Sequence, residues 1–126
     1  MLRYFVALHQ GDYAAAAALY GGSYETQATW NPDLPATDLL GLWQRACEQN
    51  GLQCLAVREV VSEEQVSPNV LTFTLHFRNP DGSLFVLGPC CGENGTSMPP
   101  VSEFECDLAR TSSGDFKAMC LPPYVP

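Results

Sequence analysis

The chain has 126 residues, fourteen of them acidic and six basic, and therefore a net charge of -8 at pH 7. This length suits one hydrophobic core, so we expect a single domain over 1–126. The negative charge argues against nucleic acid as a partner. No apolar run reaches the roughly 18 residues that would predict a transmembrane segment.

Two helices are predicted at the start of the chain. The first follows from apolar residues at helical spacing over 2–8, and it ends at Gly11. Asp12 is suited to cap a second helix over 13–20, because its carboxylate can accept from free amides of the first turn. This second helix contains five consecutive alanines, the strongest helix formers.

A loop and a third helix follow. Residues 23–35 include two prolines, which predict a loop without a regular element. Thr37 or Asp38 is expected to cap the third helix, which ends at Asn50 and Gly51. The predicted apolar stripe of this helix consists of Leu39, Leu40, Trp43, Ala46 and Cys47.

From residue 52 onward the apolar pattern alternates, which predicts strands. The second and third strands are expected to form a hairpin around the Asn-Pro-Asp-Gly turn at 79–82, whereas 88–100 is expected to be irregular. The pattern as a whole predicts an α+β fold, with N-terminal helices packed on a four- to five-stranded antiparallel sheet. The predicted strands are 52–61, 70–77, 84–87, 101–110 and 116–121.

Six cysteines lack the close spacing of zinc knuckles, so disulfides are favoured over a metal site or free thiols. The best pair is Cys47 with Cys54, which would close a short loop between the third helix and the first strand. Disulfides in turn predict a location outside the cytosol: secreted, periplasmic or lipoprotein-anchored with the leader absent.

A second bridge follows from strand parity. If Leu108 pairs with Ala118, the same register sets Cys106 opposite Cys120. Cys90 and Cys91 are left over as neighbours. They are expected to form a vicinal disulfide, to remain thiols, or to reach Cys106 or Cys120 instead.

The run YFVALHQGDYAAA at 4–16, a helix, a Gly-Asp break and an alanine-rich helix, resembles the opening of nuclear transport factor 2-like domains. Within that cystatin-like superfamily the chain looks most like small bacterial lipoprotein-associated domains. The resemblance implies a sheet that curves around the longest helix like a cone, and a possible homodimer. It also implies a scaffold that hosts isomerases, dehydratases and binding modules alike.

Glu59 is the nearest candidate for a catalytic base on the concave face of such a sheet. It shares strand parity with Leu55, Val57 and Val61. The alternative is a carboxylate that reaches solvent, because carboxylates are rarely buried without a partner. His76 alternates with threonines and is expected to be exposed, and His9 ends a helix, where a cation is favoured.

Four aromatic residues are candidates for a ligand pocket between helix and sheet, although aromatic residues at such positions also form cores. They are Tyr20, Tyr24, Trp30 and Trp43. No motif for a cofactor or a metal is present, and neither is expected. We therefore expect a non-catalytic domain that binds a small apolar ligand or a protein partner at the mouth of the cone. The alternative is an isomerase- or dehydratase-type enzyme with Glu59 as its base.

Overall fold

The computed structural model of the chain describes residues 2–88 and 100–125. Four α-helices come first, and the last of them continues into a π-helical turn over Ala46–Asn50. They are α1 (Leu2–Gln10), α2 (Tyr13–Leu19), α3 (Glu25–Trp30) and α4 (Leu39–Arg45). None of the helices in these ranges is long and apolar enough to cross a membrane.

Within the described residues four strands follow and form one antiparallel sheet in the order β1-β2-β3-β4. They are β1 (Ala56–Ser67), β2 (Val70–Arg78), β3 (Phe104–Arg110) and β4 (Phe116–Ala118). Helices that precede an antiparallel sheet confirm the predicted α+β class.

Two of the predicted helix caps are present. The Asp12 carboxylate accepts a hydrogen bond from the amide of Ala15 at 3.2 Å, and the Asp38 carboxylate accepts one from the amide of Gly41 at 3.1 Å. Gly51 ends the π-helical turn with a φ of +103°, where a side chain would also collide with the backbone of Val125.

The expectation of a loop without regular structure over 23–35 is wrong, because this segment contains α3. The Ser23 hydroxyl accepts from the amide of Glu25 at 3.1 Å just before the helix, and the prolines follow the helix instead of interrupting it. The predicted stripe of α4 also needs one correction. Leu40 is 53% exposed, and Leu42 is the leucine that α4 buries completely.

The hairpin partner of β2 differs from the prediction. The turn at 79–82 forms, with the amide of Gly82 donating to the carbonyl of Asn79 at 2.8 Å, but 84–87 makes only isolated bridges to Arg78 and Val101. β2 instead pairs along its length with β1 on one side, and on the other side its residues Val70 to Leu75 pair with β3. A third strand at 84–87 was therefore a wrong prediction.

The structure contains both expected disulfides. Leu108 pairs with Ala118 between β3 and β4, as strand parity predicted, and the bridge between Cys106 and Cys120 lies in the same register. Cys47 and Cys54 are bridged across the junction between the π-helical turn and β1. The remaining pair, Cys90 and Cys91, and most of the segment predicted to be irregular lie outside the described residues.

The core lies between the helices and one face of the sheet, which we call the inner face. Its largest buried side chains come from α1, α4, the segment before β1, and β2. They are Trp43, Tyr4, Phe5, Phe77, Leu8, Leu42, Leu52 and Leu75. The far half of β1 receives no such cover, since residues 58–66 are all exposed.

Candidate binding surface

The space between α4 and the sheet, where the sequence predicted a ligand pocket, is filled by aromatic side chains. The Trp43 ring lies 5.1 Å from the Tyr20 ring and 6.0 Å from the rings of Tyr4 and Tyr24, in edge-to-face geometry. The Trp43 indole donates a hydrogen bond to the Tyr24 hydroxyl at 2.9 Å. Trp30 lies elsewhere and stacks on Tyr124 at 5.0 Å. Three of the four candidate residues therefore pack against one another.

The phenol groups of this cluster are satisfied within the protein. The Tyr4 hydroxyl donates to the carbonyl of Cys120 at 2.7 Å, and the Tyr20 hydroxyl donates to the carbonyl of Ser23 at 2.8 Å. Burial raises the pKa of Tyr20 to about 12 and places the pKa of Tyr4 still further above its ordinary value. Both phenols therefore stay protonated near pH 7 and are held by hydrogen bonds within the protein, so these side chains contribute to the packing of the core.

Glu59 does not lie on the inner face, and a β-bulge is the reason. Val57 pairs with the buried Phe77, but the register shifts at the next residue, so that Glu59 pairs with His76. One extra residue in a strand reverses the parity of those that follow. The prediction that Glu59 lies on the same face of the sheet as Val57 is therefore wrong.

The Glu59 carboxylate lies 2.9 Å from Nδ1 of His76 on the outer face of the sheet. The Glu59 side chain is 60% exposed and the His76 side chain 20% exposed. The Glu59 carboxylate is therefore open to water, whereas the His76 ring, which the sequence predicted to be exposed, is largely covered. His9 is also exposed, with Nδ1 at 3.2 Å from the carbonyl of Cys54.

A cleft opens where α1 and α2 meet β3 and β4, and we call it the mouth. It encloses about 310 Å³, and Tyr4 forms its buried wall. Apolar side chains from a helix and two strands contribute most of the lining: Leu19, Leu108, Phe116 and Ala118. Arg3 is the charged residue that lines it. The mouth therefore combines an apolar surface with one guanidinium group.

A second, larger depression runs between α1 and α2 on the outside of the molecule, and we call it the α1–α2 groove. It encloses about 480 Å³. On the α1 side, Leu2 and Val6 are 47% and 49% exposed. On the α2 side, Ala15 and Ala18 present only methyl groups. Exposed apolar side chains lining one concave surface are a feature of binding sites.

The mouth and the α1–α2 groove adjoin each other, because Arg3 and Leu19 line both. Arg3 is exposed, and among residues 2–88 and 100–125 no ion-pair partner is found for it. A second guanidinium lies nearby, since Arg110 sits over the ring of Phe116 at 4.6 Å from the ring centroid. Two of the six basic residues of an acidic chain therefore lie at this surface.

The sequence interpretation missed this surface, although a signal was present. The apolar residues at 2–8 were used only to predict a helix, yet α1 is apolar on two sides: Phe5 and Leu8 are buried, while Leu2 and Val6 are exposed. When the apolar residues of a helix extend beyond the one stripe that faces the core, the helix has a second apolar face, which stays exposed unless another surface covers it. That excess was the available indication of a binding surface.

The described part of the chain holds no group of three or more His, Cys, Asp or Glu side chains placed to bind a metal ion. Comparison of the chain with protein-family models, curated proteins and solved structures gave no match. The resemblance to nuclear transport factor 2-like domains therefore stays a prediction from the sequence.

Proposed function

We propose that this chain is a non-catalytic binding domain that acts outside the cytosol and holds a small apolar ligand or a protein partner on the mouth and the α1–α2 groove. The observation that carries this proposal is the exposure of Leu2 and Val6 in a concave surface continuous with the mouth. Contact between these apolar side chains and water is unfavourable, and a bound molecule that covers them would remove it.

The filled interior supports a surface site over an internal one. Trp43 is completely buried and Tyr20 is 7% exposed, so a ligand that entered the cone would have to displace close-packed rings. The proposed site therefore lies on the surface formed by α1, α2 and the last strands, and not in the interior, where Tyr20, Tyr24 and Trp43 pack against one another.

The enzyme alternative receives less support. It requires a carboxyl group in hydrophobic surroundings, whereas the Glu59 side chain is 60% exposed and faces away from the core. Location outside the cytosol is supported by the two disulfides, which persist in oxidising compartments.

The test is the binding of a neutral apolar fluorophore, N-phenyl-1-naphthylamine, to the oxidised protein. Ala18→Glu places a carboxylate in the lining of the α1–α2 groove and should abolish the fluorescence enhancement. Ala14→Glu is the matched control, because Ala14 is an exposed alanine of the same helix that does not line the groove.

Circular dichroism should show that both variants fold, since glutamate is a good helix former. The proposal is refuted if the wild-type protein does not bind the fluorophore, or if the two variants lose binding equally.

A further inference from the structure

The proposed function does not define which molecule binds to the α1–α2 groove, and the charges of this surface limit the chemical class of that molecule. Resting on that proposed function, we infer that the occupant is a slender amphipathic anion, an alkyl carboxylate, whose chain lies in the α1–α2 groove and whose carboxylate is bound by Arg3. The groove supplies the apolar contact, and Arg3 stands where the groove meets the mouth.

The shape of the groove suits an alkyl chain. α1 and α2 are joined by two residues, Gly11 and Asp12, and pack against each other. An alkyl chain is thin enough to lie in the furrow between the two helices, over the methyl groups of Ala15 and Ala18.

The charge of the occupant follows from Arg3. A guanidinium presents five donors in a planar arrangement that matches a carboxylate in bidentate geometry. Arg3 is exposed and no carboxylate within the described ranges pairs with it, although the chain has fourteen acidic residues. Its donors are thus open to a ligand.

The residues at the opposite end of the groove determine the orientation of the bound ligand. The short link between the helices places the start of α1 beside the end of α2, consistent with Arg3 and Leu19 lining the same cleft. Gln10 and Asp12 then line the other end. The Asp12 carboxylate would repel an anionic group there, so the head of the ligand is directed towards Arg3.

The test compares two detergent-like probes that share one alkyl chain and differ in charge. Isothermal titration calorimetry of the oxidised protein should give tighter binding of dodecanoate than of dodecyltrimethylammonium. Arg3→Gln should weaken dodecanoate binding about fivefold, as expected for a partly exposed ion pair, and should weaken it more than the binding of the neutral fluorophore. Arg58→Gln is the control, because it removes the same charge from an exposed residue of β1 outside the groove.

The outcomes separate this inference from the proposed function. Equal or tighter binding of the ammonium probe, or an unchanged dodecanoate affinity in Arg3→Gln, overturns the inference of an anionic ligand. So does the absence of dodecanoate binding in a protein that binds the neutral fluorophore, and the binding surface itself then stands. If the wild-type protein does not bind the fluorophore, both the proposed function and this inference are overturned.

Discussion

Removal of the disulfide between Cys106 and Cys120 is expected to be the most destabilising loss of a single bridge in the described structure. The double change Cys106→Ala and Cys120→Ala releases a loop with a sequence separation of 14. A disulfide that closes a loop of about 15 residues restricts the conformational entropy of the unfolded chain and so raises the free energy of the unfolded state, by about 3 kcal/mol at 25 °C.

The local structure raises that value. β4 is only three residues long, so few backbone hydrogen bonds hold the segment that carries Cys120. The carbonyl of Cys120 also accepts from the buried Tyr4 hydroxyl, which would lose its partner if the segment detached. Cys106 is 2% exposed, and deleting its sulfur leaves a small cavity. We therefore expect a total loss of about 4 kcal/mol in the free energy of unfolding.

Urea unfolding followed by tryptophan fluorescence measures this loss, because Trp43, one of the two tryptophans, is completely buried and becomes exposed on unfolding. The matched control is Cys47→Ala with Cys54→Ala, where the sequence separation of 7 predicts a smaller loss of about 2.5 kcal/mol. A loss below about 1 kcal/mol for the Cys106 and Cys120 pair, or a larger loss for the control pair, would refute the reasoning.

Three further predictions concern single residues. Gln27 is completely buried, and its side-chain amide finds no hydrogen-bond partner within the described structure. Gln27→Met should therefore raise the urea midpoint of unfolding by an amount equivalent to about 1 kcal/mol, and a lower midpoint would contradict this. Asp12→Ala removes a helix cap and should cost about 1 kcal/mol, measured by thermal unfolding, whereas Asp12→Asn should retain most of the stability. Burial raises the pKa of Tyr4, so above about pH 10 the unfolded chain releases the phenol proton first and stability falls as the pH rises. Tyr4→Phe should make that fall shallower by up to about 1.4 kcal/mol per pH unit, and an unchanged slope would show that the Tyr4 phenol is not protected.

Local features of the sequence were enough to predict much of the fold. Asp12 and Asp38 act within their own turns, so the chemistry that makes them caps is visible in the sequence. The register of Leu108 with Ala118 follows from a short turn and alternation, and it placed Cys106 opposite Cys120. These predictions required no knowledge of distant contacts.

The errors arose where distant parts of the chain decide the outcome. Residues 84–87 alternate like a strand, but they contact only the end of β2, at Phe77 and Arg78. The position beside Val70 to Leu75 is taken by β3, which contributes Phe104 and Cys106 to the inner face. The bulge that turns Glu59 outward depends on pairing with β2 and leaves no mark in the composition of β1. The groove, likewise, exists only because α1 and α2 pack side by side.

The irregularities of β1 have a consequence for the assembly of this protein. β1 forms one edge of the sheet, and three register shifts interrupt its twelve residues, so that its longest regular run is Ser62 to Gln65. A strand from another molecule needs evenly spaced amides and carbonyls over about five residues to add to an edge. Glu63 and Glu64 also place two charges within that run. The edge is thus protected against sheet extension, and a homodimer of this chain would have to form through a different surface.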